Sequence, residues 1–141
     1  MKKVLAYIAY VLAYGFWYAM SLLPMCVLYV FSDALYLLVG RVVKYRHKVI
    51  WNNLKNSFPE KSDDELRQIE QGFYHWFCDY IVETLKLMTM SKKQLMERMT
   101  FTGTDELNRV ISAGKSVAVY LGHLGNWEWI TSLPYWVHHV L

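Results

Sequence analysis

The segment SVAVYLGHLGNWE, residues 116–128, carries the clearest indications of both the fold and the site. Its first five residues form a short, partly β-branched apolar run, which is typical of a buried strand. We predict a helix over residues 105–113, closed by Gly114, and a second helix that begins at Asn126 as its N-cap. A helix, a strand, a glycine turn and a helix in succession indicate an α/β fold.

A single strand cannot form a parallel sheet, because each strand needs neighbours to satisfy its backbone N–H and C=O groups. Residues 116–120 are the only clear strand before Leu141, and the segment 130–141 is still apolar at its last residue. We therefore expect the chain to be the N-terminal part of a larger protein, so that the α/β sheet is truncated.

The first 40 residues form an almost uncharged apolar region. After Lys2 and Lys3, no charged side chain occurs before Asp33. Residues 4–23 are long enough to cross a bilayer, which takes about 20 apolar residues, and too long for the apolar core of a secretory signal, which has about 7 to 15. We expect a retained transmembrane anchor. The alternative is a buried hairpin of a soluble protein, which the short remaining chain could hardly cover.

Pro24 interrupts this apolar region and predicts a break between two helices. The second helix, from Met25 to about Val43, could lie in the membrane interface, re-enter the membrane or pack on the rest of the chain. We therefore divide the chain into a membrane anchor with an interfacial helix, residues 1–45, and the N-terminal part of a cytoplasmic enzyme domain, residues 46–141.

A basic cluster follows the apolar region, within a chain of net charge +3; its members are Arg41, Lys44, Arg46, Lys48 and Lys55. Positive charge beside a membrane anchor is typical of the cytoplasmic side, where the leaflet is anionic. A solvated helix face without specificity is the alternative. Nucleic acid is not an expected partner of a basic patch beside a membrane anchor.

The middle of the chain is predicted to be helical. Two capping-box patterns, Ser62 with Glu65 and Ser91 with Gln94, mark helix starts, and proline after Phe58 marks a helix end. The predicted elements are helices at residues 46–57, 62–90 and 91–99 and a short β-like segment at residues 100–104. Both cysteines, Cys26 and Cys78, are expected to be buried, reduced thiols.

His123 is the candidate catalytic residue, because it follows the carboxyl end of the predicted strand, where α/β sheets gather reactive groups. Gly122 and Gly125 allow a tight turn and leave room for a substrate. Glu128, on the first turn of the next helix, could bind one ring nitrogen and leave the other to take a proton. A structural histidine is the alternative. A metal hydrolase that uses His138 or His139 is disfavoured, because the pattern is not HExxH.

His123 to Glu128, HLGNWE, resembles the His-x4-Asp/Glu signature of the glycerolipid and lysophospholipid acyltransferases. In the form GH-x-GNWE it is similar to the bacterial lipid A biosynthesis acyltransferases, which add lauroyl or myristoyl chains. The softer likeness upstream includes the N-terminal membrane helix and the segment Ser57-Phe-Pro-Glu60, and it covers nearly the whole chain. Enzymes of that family are about twice as long, so groups that lie downstream in them have no counterpart here.

The resemblance implies transfer of a fatty acyl chain from an acyl carrier protein thioester to a hydroxyl of a lipid A precursor at the bacterial inner membrane. His123 would be the general base and Glu128 its partner, while Gly125 and Asn126 would shape the turn for the substrate. It implies no metal and no organic cofactor, and a single-pass protein whose catalytic part faces the cytoplasm. Another lysolipid or glycolipid acceptor, or a truncated non-catalytic membrane protein, remains open.

Overall fold

The computed structural model describes residues 2–137, and every regular element in that range is helical. The chain forms two compact units, Met1–Lys86 and Leu87–Leu141. The first unit contains α1 (Lys2–Leu22), α2 (Met25–Tyr36), a π-helical segment (Leu37–Val43), α3 (His47–Ser57) and α4 (Asp63–Lys86). The second contains α5 (Lys92–Arg98), α6 (Thr104–Ser112) and a 3₁₀ helix (Trp127–Tyr135).

The predicted α/β fold is wrong for the part of the chain that the structure describes. Residues 115–124 have no regular secondary structure, and residues 100–103 are irregular rather than β. Val119 is 50% exposed and Tyr120 is 94% exposed, so the segment is not a buried strand. The physical reason is the absence of a neighbouring strand between residues 2 and 137: without one, an extended segment has no ladder of backbone hydrogen bonds.

Most helix boundaries in the first unit agree with the sequence pattern, but α4 ends at Lys86, four residues before the predicted end at Met90. Pro24 separates α1 from α2, and the π-helical segment continues α2 to Val43. Both α1 and the stretch Met25–Val43 are long and apolar enough to cross a membrane by length and composition. Nearly all of α1 is exposed, because only Ser21 of its 21 residues is buried.

The first unit is held together by packing on α4. Residues Tyr36, Tyr74 and Cys78 form a buried cluster between α2 and α4. The helix α3 is tied to α4 by a 2.6 Å contact between His47 Nδ1 and the buried carboxylate of Glu70. Because a buried carboxylate is costly unless it is paired, this contact explains why Glu70 is tolerated inside.

A second tie joins α4 to the end of α1. The buried ammonium group of Lys86 donates hydrogen bonds of 2.9 Å to the carbonyl oxygens of Ser21 and Leu23. The last carbonyls of a helix have no partner within it, and the negative end of the helix dipole favours a cation. Lys86 therefore acts as a side-chain cap for α1.

The two predicted capping boxes are both confirmed. The hydroxyl of Ser91 accepts from the backbone N–H of Gln94, whose side chain accepts from the N–H of Ser91. The carboxylate of Glu65 accepts from the N–H and the hydroxyl of Ser62, each at 2.8 Å. The long helix α4 therefore begins where its local sequence predicts.

Glu65 gives the start of α4 an acid-sensitive contribution to stability. The hydrogen bonds from the Ser62 backbone and hydroxyl lower the pKa of Glu65 below its ordinary value of 4.5. Because the folded pKa is depressed, this stabilisation is complete above pH 4.5 and is lost as pH falls through the folded pKa. We expect Glu65→Gln to flatten the fall of the melting temperature in acid, as measured by circular dichroism, and Ser62→Ala to flatten it less. An unchanged acid profile in Glu65→Gln would contradict this assignment.

The two cysteines differ in environment. Cys78 is fully buried on α4, as expected, but Cys26 is exposed near the start of α2. The expectation for Cys26 was wrong because its helix turns only one face toward α4, and an apolar sequence alone does not show which positions that face contains.

Candidate active site

His123 lies in the second unit, near the end of the irregular residues 115–124 and before the bend that leads into the 3₁₀ helix. Gly125 has a φ of +63°, in the left-handed region that favours glycine. Gly122 lies outside that region, and the backbone bends at Gly125 and Asn126. The predicted glycine turn after His123 therefore corresponds to a bend, and no strand of the described residues leads into it.

His123 is exposed, and its ring lies against the indole of Trp127, with ring centroids 4.5 Å apart and planes inclined by 50°. The two residues are four apart in sequence, and the turn at Gly125 brings them together. Trp127 was not recognised as a site residue from the sequence; its spacing from His123 was the available signal. An exposed imidazole held by one aromatic neighbour is accessible to a substrate hydroxyl.

Asn126 and Glu128 lie on either side of Trp127, and both are partly buried. Asn126 occupies the N-cap position, but its side chain does not bond the first turn. The carbonyl of Asn126 accepts a 3.3 Å hydrogen bond from the N–H of Trp129. Glu128 falls on the first turn, as predicted, and its carbonyl accepts a 2.9 Å hydrogen bond from the Thr131 hydroxyl.

The helix that follows Asn126 is a 3₁₀ helix over Trp127–Tyr135, whereas the sequence pattern indicated an ordinary helix. Pro134 lies inside it and has no N–H to donate to the carbonyl four residues earlier. The proline was a visible signal that an α-helix could not continue through this segment.

The 3₁₀ helix is fixed against α5 by cations on aromatic rings. The guanidinium carbon of Arg98 lies 5.9 Å from the centroid of the buried Trp129 ring, and the Lys92 ammonium lies 5.0 Å from the Tyr135 ring. Cations at these distances are attracted to aromatic faces. The helix that bears Glu128 is thereby held within its own unit.

A small, mostly apolar hollow of about 180 Å³ opens beside the turn. Leu121, two residues before His123, forms part of its wall. The wall is completed by Phe101, Thr102, Gly103, Thr104, Leu107, Val119, Ile130 and Leu133. The sequence did not predict this hollow, because its members come from three separate stretches of the chain, residues 101–107, 119–121 and 130–133.

The first unit has a polar cleft of about 500 Å³ that contains part of the basic cluster. Arg41, Lys44 and His47 line it together with the buried rings of Tyr36 and Tyr74, and its remaining wall includes Gly40, Trp51, Asp63, Arg67, Glu70 and Gln71. The carboxylates of this wall are engaged locally, since Asp63 contacts Lys55 at 2.5 Å and Glu70 contacts His47.

Replacing Gly125 tests the turn directly. We expect Gly125→Ala to destabilise the fold by about 1 to 2 kcal/mol and to lower activity, because only glycine adopts a positive φ without strain. A Cβ at Gly125 would meet nothing within 4 Å, so the effect would come from the backbone alone. Gly122→Ala is the matched control, since a Cβ there also meets nothing within 4 Å and its φ is not left-handed. Equal melting temperatures and equal activities for the two variants would contradict the role of this turn.

His138 and His139, which a metal site would have needed, lie outside the described residues.

Comparison with known protein families first places the chain among the acyltransferases, a class of transferase enzymes. More narrowly, residues 2–133 match the family of bacterial lipid A biosynthesis acyltransferases, and the chain belongs to that family. The match includes the apolar N-terminal helices, the turn at His123 and most of the 3₁₀ helix, so the resemblance of the HLGNWE motif to this family is confirmed.

No curated protein and no solved structure matches the chain. Membership of this family supports a lipid A-type acyltransferase activity. The two apolar helices suggest membrane association.

Proposed function

We propose that the chain transfers a fatty acyl group from an acyl carrier protein thioester to a hydroxyl of a lipid A precursor. The observation that carries this proposal is the family match, which spans residues 2–133 and contains the exposed His123 at its glycine turn. Acyl transfer needs a base for the incoming hydroxyl, and imidazole can serve at neutral pH.

His123 is the proposed general base. It takes the proton of the acceptor hydroxyl while the oxygen attacks the thioester carbonyl, and a tetrahedral intermediate forms. The intermediate collapses to the new ester and expels the carrier's thiol, which receives the proton. Glu128 is the proposed partner that keeps one ring nitrogen protonated and stabilises the imidazolium. Trp127, whose ring contacts His123, would restrict the orientation of the imidazole.

The hollow beside the turn is the proposed contact for the acyl chain. Its wall is mostly apolar, and Leu121 places it two residues from His123. Transfer of a fatty chain from water to an apolar surface is favourable, and the free energy falls roughly in proportion to the apolar area buried. The proximity of this surface to the base favours an acyl substrate over a small polar one.

The inner membrane is the proposed location, with α1 as a single transmembrane anchor and the enzyme domain in the cytoplasm. The basic cluster that begins at Arg41 supports this orientation, because cationic segments beside an anchor favour the cytoplasmic side. The cationic part of the polar cleft, Arg41 and Lys44, is accessible to an anionic partner such as the carrier protein or a lipid phosphate. Gly125 and Asn126 are proposed to shape the substrate side of the turn.

Lipid mass spectrometry tests the proposal. Membrane lipids from cells that express the gene are compared with those from cells that lack it. We expect a species heavier by one fatty acyl group, and its fragmentation identifies both the chain and the acceptor. A heavier phospholipid in place of a heavier lipid A precursor would keep the acyl transfer and change the acceptor. Identical lipid profiles, with the protein present in the membrane fraction, would contradict the activity.

A further inference from the structure

We propose that the stretch Met25–Val43 lies along the phospholipid surface, with one face in lipid and the other on α4, instead of crossing the bilayer a second time. This inference rests on the membrane attachment proposed above and states how the first unit meets the membrane. Length and composition alone would allow this stretch to span. Its contacts with α4 argue otherwise.

The inner face of α2 contains buried apolar side chains, among them Met25 and Leu28, together with polar groups that are paired with ionisable residues of α4. The hydroxyl of Tyr29 donates to Glu83 at 2.8 Å, and the hydroxyl of Ser32 donates to Asp79 at 2.6 Å. One turn further along, the ring of Tyr36 stacks on His75 with centroids 3.6 Å apart. As residue numbers increase along α2, the residue numbers of their partners on α4 decrease from Glu83 to His75. The two helices therefore run antiparallel over this length.

Because α2 is fixed along α4, it could cross the hydrocarbon only if α4 crossed with it. The part of α4 that lies along α2 contains the ionisable residues His75, Asp79 and Glu83, and Glu70 and Lys86 lie on the flanking turns of α4. Among residues 2–137, α4 is not one of the helices apolar enough to span a membrane. Ionisable side chains at membrane depth are costly, and this density of them is not expected in a spanning helix.

Asp33 gives an independent argument. It lies near the middle of Met25–Val43, so in a spanning helix its carboxylate would lie near the bilayer centre. Its side chain is 72% exposed, and its carboxylate lies 4.0 Å from the Nδ1 atom of His75. A carboxylate in this position fits the polar headgroup region and not hydrocarbon.

The outer face of α2 is apolar and lacks a protein partner among residues 2–137. Val30 is 68% exposed and Phe31 is 46% exposed, and Val27 and Leu38 extend the same face at helical steps of three and four. A helix that packs one face on the protein and turns an apolar face outward can bury that outer face in the membrane interface. Lipid is the expected occupant, because α1 is the proposed anchor and only two residues separate its end from the start of α2.

The position of Lys86 agrees with this arrangement. It bonds the last carbonyls of α1, which places the charged end of α4 where the anchor leaves the bilayer. From that point α2 returns along α4 in the opposite direction. The first unit would therefore rest on one membrane surface, with the start of α1 on the other side.

Thiol labelling of the full-length protein in spheroplasts tests the topology. Cys26→Ser removes the exposed native thiol, the buried Cys78 is retained, and single cysteines are introduced as Lys3→Cys or Asn56→Cys, both at exposed positions. With a membrane-impermeant maleimide, we expect one position to react in intact spheroplasts and the other only after permeabilisation. Reaction of both positions under the same condition would overturn the inference, because two spans return the chain to its starting side.

Depth measurement provides a second test. A bimane probe is attached at Val30→Cys, with Leu12→Cys in the middle of α1 as the deep reference and Asn56→Cys as the aqueous reference. We expect lipids brominated near the headgroup to quench the Val30 probe most, and lipids brominated near the chain ends to quench the Leu12 probe most. Deep quenching at Val30 would overturn the interfacial position.

The two levels of the proposal fail in different ways. If alkaline washing removes the wild-type protein from membranes, the anchor itself is wrong, and the position of α2 falls with it. If the protein resists alkaline washing but both cysteines react under the same condition, or the Val30 probe is quenched deep in the bilayer, only the position of α2 is wrong. The lipid profile reports acyl transfer separately from both results.

Discussion

Replacement of His123 with alanine is expected to lower the rate of acyl transfer by about 10²- to 10⁴-fold, the range that loss of a general base typically produces. Alanine removes the imidazole and its contact with Trp127, whereas α1 lies in the other compact unit and keeps its apolar surface. The variant should therefore still be recovered with membranes. The measurement is the steady-state rate of transfer from an acylated carrier protein to a lipid A precursor, with purified protein in detergent.

Glu128→Gln is the graded comparison. An amide can still accept a hydrogen bond from a ring nitrogen, but it does not stabilise the imidazolium with a full charge, so we expect a smaller loss than in His123→Ala. A structural variant provides the control, because Trp129→Phe alters the same 3₁₀ helix without removing either proposed catalytic group. Wild-type rates in His123→Ala would exclude the mechanism. Equal losses in all three variants would indicate that the turn had lost its structure.

Replacement of Lys86 with methionine is expected to destabilise the first unit by about 2 to 4 kcal/mol. Methionine fills much of the same volume but leaves the carbonyls of Ser21 and Leu23 without their cationic donor, and a hydrogen bond to a charged group contributes about 1.5 to 3 kcal/mol. Loss of the buried charge offsets part of this cost. Denaturant unfolding in detergent, followed by circular dichroism, measures the change.

Two further variants serve as controls for the effect of Lys86→Met on the free energy of unfolding. Lys86→Arg keeps a cation and should recover part of the stability, limited by the space around a side chain that is 6% exposed. Lys48→Met makes the same chemical change at an exposed position of α3 and should alter the free energy of unfolding little. If Lys86→Met unfolds at the same denaturant concentration as Lys48→Met, the proposed cap on α1 does not contribute to stability.

Features that depend on neighbouring residues in sequence were predictable. The break at Pro24, the two capping boxes and the glycine at the end of α6 each involve side chains within a few positions of the backbone they affect. Gly125 belongs to the same group, since the φ of a turn is a local property. For this reason the helix starts and the position of the site turn could be taken from the sequence.

Features that depend on distant partners were not predictable in the same way. The run at residues 116–120 has the composition of a strand, but a strand exists only with a neighbour, and residues 2–137 supply none. The hollow beside His123 and the polar contacts between α2 and α4 also join segments that are far apart in the chain. The motif indicated where the base lies, and tertiary packing decides what surrounds it.

The reactivity of Cys78 reports how often α2 separates from α4. The thiol is fully buried against Tyr36 and Tyr74, and burial, aided by the charge of Asp79, raises its pKa. Since alkylating reagents attack the thiolate, Cys78 should react only in molecules in which α2 has separated from α4. The exposed Cys26 reacts without such an event. Mass spectrometry separates singly from doubly alkylated protein. The rate at which the second alkylation appears would thus report how often α2 separates from α4 under native conditions.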